Sequence, residues 1–432
     1  MTETAVEAQA GSTPARPRPP PVDRWVALVL LSLAMFGNYY VYDTIAPVAD
    51  LLTSQLGFND EQIGLLYSTY SWAAVLVLLA GGVIIDRFGT KKSILLFAAI
   101  TTVAGVVTAV SSDFRVMAAG RFLLGMGAEP LIVAVTTALA KWFKGKELSF
   151  AFGLNLTIAR LGSVAADNSP TWARSFYSGW QAPLQIGAVL GATCIVAGVL
   201  YWMLEARVAR RYQLGSPSGT DKLVLRDLFA FGKSYWYVVV ICLAFYSAIF
   251  PFRSFAIKFF MDARGVSRET AGALNSVLPL AAMFATPLFG LLADRIGHRA
   301  LLMALGSATL IPVYLAMVYT SLPLWLIILF MGIAFSLIPA VMWPSVAYLV
   351  PEGRLGTAYA LMTLVQQVGL AGMNWLIGWT NDAAHASAAN PAGYRPGMWI
   401  FTTLGFLGLL FSWLLYRSER SPAGHGLETP AR

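Results

Sequence analysis

Charge is scarce in this chain. Lys, Arg, Asp and Glu together make 12% of its 432 residues, against the roughly 25% that soluble domains carry. Most of the sequence therefore cannot present an ordinary water-facing surface. Cysteine is scarcer still: Cys194 and Cys242 both lie in apolar runs, which excludes a disulfide framework and fits two small buried hydrophobes. The three histidines, His298, His385 and His425, are scattered near helix ends or in the tail, so no metal centre is expected. The sequence shows no nucleophile–base–acid set and no phosphate-binding loop, and its glycine-rich stretches read as helix-packing positions. An enzyme is not expected, nor any cofactor.

Apolar sequence is what the chain has in plenty. Hydrophobic residues make 57% of it and the mean hydropathy is +0.65. They recur in runs of about 20 or more, the length that crosses a bilayer. Twelve candidate helices result, at 25–52, 61–86, 92–111, 115–141, 148–172 and 181–204, then 234–262, 269–294, 299–320, 322–350, 354–381 and 394–417. The expected fold is an all-α membrane protein of two six-helix bundles, 25–204 and 234–417. A cytoplasmic linker at 205–233 joins them; 1–24 reads as a Pro-rich disordered cytoplasmic tail and 418–432 as a second cytoplasmic tail.

The formal charge of +8 invites a nucleic-acid reading, but topology accounts for it better. Lys and Arg concentrate on the side of the N-terminus, at Arg16, Arg18, Arg24, Arg87, Lys91, Lys92, Lys141, Lys144, Lys146 and through the linker. The opposite side holds Arg115, Arg174, Arg264, Arg268 and Arg395. That bias puts both termini in the cytoplasm. Membrane lipid is the expected surrounding, and no nucleic-acid partner is implied.

The two halves repeat. GGVIIDRFGTKK (81–92) matches FGLLADRIGHRA (289–300), with Gly82, Asp86, Arg87 and Gly89 returning 208 positions later as Gly290, Asp294, Arg295 and Gly297. Gly145 and Lys146 meet Gly353 and Arg354 at the same offset. Gly-x-x-x-Asp-Arg-x-Gly-x-Lys-Lys between a second and a third span resembles the signature of the major facilitator superfamily, and the resemblance covers the whole chain. In such a motif Gly82 and Gly290 would admit a neighbouring backbone. Asp86 and Asp294 would face the positive starts of helices 11 and 5, while Arg87, Lys91, Lys92 and Arg295 anchor the loops. Such contacts exist only while the inner face is closed, so the motif reads as an inner gate. Plain positive-inside anchoring would explain the cations alone.

YYVYDTIAP, LLYSTYSW, AGRFLLGMGAEPLIVA, KWFKGKELSFAFGLNLTIARLGS, VMWPSVAYLVPE and LGTAYALM are similar to the branch of the superfamily that holds the lysosomal dipeptide transporters of animals. That resemblance implies dipeptide uniport. It also implies, in animals, a glycosylated partner and a lysosomal address. The acidic dileucine signal is missing here and the loops are short, so a bacterial-type plasma membrane and a monomer are expected instead.

Two charges stand out inside apolar stretches. Glu129 on helix 4 and Arg160 on helix 5 each lie about 20 Å along their helices, near the bilayer midplane. A lone charge there costs at least about 2.5–3.5 kcal/mol. One acid and one base in a shared cavity suit a zwitterion, Glu129 for its ammonium and Arg160 for its carboxylate. The bland alternative is a structural ion pair pinning helix 4 to helix 5; a pair that opens for ligand would combine both. Tyr39, Tyr42, Tyr70, Asn155 and Trp343 are candidate substrate contacts, although packing is the default for each, and Asn155 and Asn275 read equally as helix–helix bonds. Asp43 and Arg253 lie at similar depth in the two halves and are a candidate outer gate, or else two independent caps. Arg121 and Lys258 are expected to snorkel.

The function implied is a carrier of small zwitterions, dipeptides above all, working by alternating access. The alternatives are a proton-coupled carboxylate carrier with Glu129 holding the proton, or, in another class, a non-transporting sensor or scaffold.

Overall fold

Pro47 shapes the first helix. Proline has no N–H for the Asp43 carbonyl four residues back, so the helix Pro21–Asp43 stops there. A tight turn follows at Ala46–Val48, and the helix resumes over Ala49–Leu56. This computed structural model describes residues 19–143, 147–212, 214, 231–422 and 424–430. Most of the expected N-terminal tail and linker, and Lys144, Gly145 and Lys146, lie outside the described residues.

The spans are α1 (Pro21–Leu56), α2 (Asp60–Phe88), α3 (Thr90–Val110), α4 (Phe114–Phe143), α5 (Leu148–Asp167) and α6 (Gln181–Arg211). The second set is α7 (Lys233–Arg264), α8 (Arg268–Ile296), α9 (Arg299–Tyr319), α10 (Leu324–Leu349), α11 (Leu355–Ala383) and α12 (Arg395–Glu419). Eleven are long and apolar enough to cross a membrane one by one, and α2 passes as two segments set at 51°. α1 begins four residues before the expected Trp25, since a proline is well placed in a first turn. α5 ends earlier than expected: Pro170 cannot donate to Ala166, and a separate short helix, Ser169–Trp172, leaves Asp167 at the helix end.

The repeat seen in the sequence returns in the packing. α1 lies on α5 and α6, α2 on α4, and α3 on α4 and α6; six elements later α7 lies on α11 and α12, α8 on α10, and α9 on α10 and α12. Across the halves α2 runs along α11 and α5 along α8, a pair of contacts that the same duplication interchanges. The two faces of the bundle are called here the termini face and the far face, the latter lying opposite the chain ends.

Close approach on the far face depends on small residues. A Cβ at Gly272 would lie 2.1 Å from the Asp167 carbonyl oxygen, so Gly272→Ala pushes α8 off α5. Overpacking of this kind costs about 1–3 kcal/mol. The purified variant is expected to melt below the parent in detergent, and an unchanged midpoint would contradict so tight a seam. On the termini face the chain end is folded. Leu427 is fully buried, its carbonyl accepts the Arg299 N–H at 3.2 Å, and Glu428 Oε1 accepts the Ala300 N–H at 2.9 Å. These bonds cap the first turn of α9.

Candidate functional site

Glu129 sits midway along α4 and is half-buried. Tyr70 of α2 donates its hydroxyl to Glu129 Oε1 at 2.8 Å. Gln367 of α11, in the other half, donates its amide to the same oxygen at 2.9 Å. Both bonds fall on Oε1. That oxygen uses both its lone pairs, and the second oxygen is left with no protein hydrogen bond among the described residues.

Arg160, midway along α5, is handled differently. Its guanidinium lies over the Tyr39 ring of α1, 5.4 Å from the centroid, and over the Phe335 ring of α10 at 5.8 Å. Among the described residues no carboxylate pairs with it and no acceptor takes its N–H groups; the buried Nε has no partner. The ion pair that could have pinned α4 to α5 is therefore not formed in this conformation. A planar cation held on two aromatic faces keeps its hydrogen-bonding edge unused. All these partners of Glu129 and Arg160 lie on α1, α2, α10 and α11.

An aromatic path leads on from Arg160. Phe335 packs on Phe245 and Phe250, Phe250 stacks on Tyr246 at 5.5 Å, and Trp343 donates its indole N–H to the Tyr246 hydroxyl at 3.0 Å. On the other side Tyr42 meets Tyr70 edge-on at 4.7 Å. Tyr39 and Tyr70 thus adjoin the two charges directly and Tyr42 through one ring, while Trp343 joins Arg160 only through the ring path of Tyr246, Phe250 and Phe335. Asn155 is not joined to them: its amide bonds Ser32 Oγ of α1 at 3.0 Å and serves helix packing. Gln367, Phe335 and Tyr246 were not anticipated. A glutamine inside an apolar helix was the one available signal among them.

On the far face buried charges pair across the two halves. Arg253 pairs with Asp43 at 3.5 Å, as expected, and more tightly with Asp167 at 2.9 Å. Asn275 donates to Asp167 Oδ1 at 2.8 Å, so its bond is helix to helix. Asp167 was not singled out from the sequence. Lys258 does not snorkel: it is buried and paired with Asp60 at the start of α2, which Asn381 also reaches at 3.0 Å. The Asp382 carboxylate of α11 accepts the Asp60 and Glu61 N–H groups at 3.0 and 2.7 Å, so one half caps a helix of the other. Asp50 and Arg268 form a further pair across the halves.

On the termini face the two motif glycines and Asp294 do not make the contacts expected of a latch. A Cβ at Gly82 or Gly290 would meet nothing within 4 Å, so neither glycine admits a backbone. Asp294 turns to Arg299 of its own half at 2.9 Å instead of the start of α5. Asp86, Arg87, Lys92 and Arg295 are exposed and Lys91 half-buried, with Arg87 over the Phe88 ring. Gly89 and Gly297 do meet a local need, with φ of 78° and 68° at the ends of α2 and α8. The bonds between the halves made by Asp60, Glu61, Ser68, Arg253, Lys258, Arg268, Asn275, Gln367, Trp375 and Asn381 lie at Gln367 or beyond it toward the far face.

This arrangement can be set beside known proteins. The profile of the Major Facilitator Superfamily matches residues 31–255 and again 239–431. The chain is 32% identical to the lysosomal dipeptide transporter MFSD1 of Bos taurus, over 93% of this chain and 87% of that one. It is equally 32% identical to the same transporter of Homo sapiens, over 93% and 88%. In fold it resembles a bacterial homolog of the human lysosomal transporter Spinster, solved inward-facing and unoccupied, with a TM-score of 0.76 at 18% identity over 93% of this chain and 98% of that one. The chain belongs to the major facilitator superfamily and is a multi-pass membrane transporter, not an enzyme.

Proposed function

We propose that the protein carries dipeptides, and zwitterions of similar size, by alternating access without an obligatory coupling ion. Glu129 receives the substrate ammonium and Arg160 its carboxylate. The observation that carries this reading is the state of Arg160: a cation at mid-membrane, resting on two rings, with none of its N–H groups bonded among the described residues. A structural arginine at that depth would be bonded. Glu129 matches it with one unused oxygen. Tyr39 touches Arg160 and Tyr70 touches Glu129, and the relatives' dipeptide activity agrees with the pairing of one acid and one base. Glu129 also bonds Gln367 across the halves, so an arriving ammonium competes for a contact that holds α4 to α11. Substrate binding and movement of the halves are thereby linked.

The buried ion pairs that join the halves on the far face correspond to a carrier open toward the termini. With Lys and Arg gathered on that side, it is the cytoplasm of a plasma membrane, where the protein works as a monomer. The test is uptake of a labelled dipeptide into proteoliposomes. Saturable uptake is expected, reduced by unlabelled dipeptides but not by sugars or dicarboxylates, and unchanged when the proton gradient is collapsed. Uptake that vanishes with the gradient would replace this reading with proton-coupled transport. Ligand-induced stabilisation with no flux would replace it with a sensor.

A further inference from the structure

Arg121 is a fully buried arginine whose charge the transport chemistry does not use and which, unlike Arg299, pairs with no carboxylate among the described residues. It lies on α4 two turns before Glu129, is 0% exposed, and has no acidic partner among the described residues. Its Nη1 donates to the Val41 and Tyr42 carbonyls at 3.2 and 3.1 Å. Those carbonyls are available because Pro47 has stopped the helix just beyond them. The rings of Tyr42, Tyr67 and Tyr70 surround the guanidinium at 5.0–5.8 Å. Its Nε and Nη2 have no hydrogen-bond partner. An arginine with buried unmet donors is costly to keep unless another state uses them.

The next residue after Tyr42 is Asp43, and its Oδ2 is likewise buried without a partner. Asp43 holds Arg253 only through Oδ1, at 3.5 Å, while Arg253 makes its closer bond to Asp167. Tyr42 and Tyr67 each lie within electrostatic reach of Asp43, Arg121 and Arg253 at once. This cluster on the far face thus holds two acids and two arginines, all buried. Asp43, Asp167 and Arg121 belong to the first half and Arg253 alone to the second. When the far face opens, Arg253 leaves with its half, and two acids remain with one cation.

We propose that Arg121 is the alternate partner of Asp43: as the far face opens, Asp43 exchanges Arg253 for Arg121, whose unpaired donors stand beside it. The exchange rests on the alternating-access reading above. Asp167, the last residue of α5, meets the opening vestibule and hydrates. Arg121 is a positioning residue in this scheme. It keeps the open state from stranding a carboxylate, and it brings the gate within two turns of Glu129 on one rigid helix. Tyr70, which touches both Glu129 and the Arg121 cage, lies between the two sites.

The test reads opening directly. Ala271, fully buried, lies one turn from Asn275 on the same face of α8. A cysteine there reacts with an impermeant maleimide only when the far face parts. In the Ala271→Cys parent in liposomes, Arg121→Gln is expected to slow labelling and dipeptide uptake at least about tenfold, because a stranded buried charge opposes opening. Adding Asp43→Asn removes that charge and is expected to restore labelling to within about threefold of Asp43→Asn alone. A merely structural Arg121 would give no such rescue. Labelling of Arg121→Gln at the parental rate, or a double variant as slow as Arg121→Gln, would overturn the proposal. Should Arg121→Gln fail to fold, a structure of the Arg253→Gln protein decides the matter. Arg121 is expected within ion-pair distance of Asp43, and an Arg121 still bound only to the Val41 and Tyr42 carbonyls would refute the exchange. A parent that labels but carries no dipeptide would refute the substrate while leaving the exchange testable.

Discussion

Arg160→Gln is expected to lower dipeptide uptake about a hundredfold or more while the protein still folds. Truncating one side of a buried charge pair costs about 2–5 kcal/mol, and each 1.4 kcal/mol is about a factor of ten. The expected fold-change follows if substrate supplies the missing partner. Removal of an arginine from a protein interior normally orphans the groups it was bonded to. Here it orphans none among the described residues, because Arg160 rests on Tyr39 and Phe335 and none of their acceptors depends on it. The melting temperature should therefore hold within a few degrees even as transport collapses. Arg160→Lys keeps the charge but loses the flat two-pronged donor, so an intermediate loss is expected. The measurement is initial uptake rate against a thermal melt of the same preparation. Equal losses in both would show that Arg160 holds the fold and would remove it from the substrate site.

Arg253→Gln should do the reverse. Arg253 lies between Asp43 and Asp167, all three nearly inaccessible, and its removal leaves two buried acids facing each other. Breaking a buried pair from one side costs about 3–5 kcal/mol. The state with the far face closed should lose most of that. A lower melting temperature is expected, with faster labelling of a cysteine at position 271. Adding Asp167→Asn should recover part of the stability, since it removes the acid that Arg253 holds more closely. A melt and labelling rate equal to the parent's would show that closure of the far face resides elsewhere, for instance in the Asp60–Lys258 pair.

Much of the frame was legible in the sequence because the bilayer imposes it. Runs of apolar residues mark helices whatever they pack against, and the 208-residue offset betrays the duplication before any contact is known. Glu129 and Arg160 were legible for the same reason, as isolated charges in sequence suited to lipid. Pairing was not legible. Lys258 and Arg121 read as snorkelling cations because each lies near a helix end, and only the folded chain shows Asp60 beside the first and a cage of tyrosines around the second. Asp167 was hidden by its neighbours: Asn168, Ser169 and Pro170 look like the start of a loop, where an acid draws no notice. Gln367 was hidden because its partner is 238 positions away. The motif glycines read as close-packing positions from their spacing alone, whereas in the folded chain a Cβ at Gly82 or Gly290 would meet nothing within 4 Å.

The closure of the far face has a consequence for the medium around it. Arg253 with Asp43 and Asp167, and Lys258 with Asp60, are walled off from solvent, whereas Arg174 with Glu269 stands in the open. Dissolved electrolyte weakens attraction only where its own ions can gather, within about 8–10 Å at ordinary strength. It can loosen the outermost bond and has no grip on the inner ones. A cell that meets fresh and brackish water by turns would find this door equally firm in both.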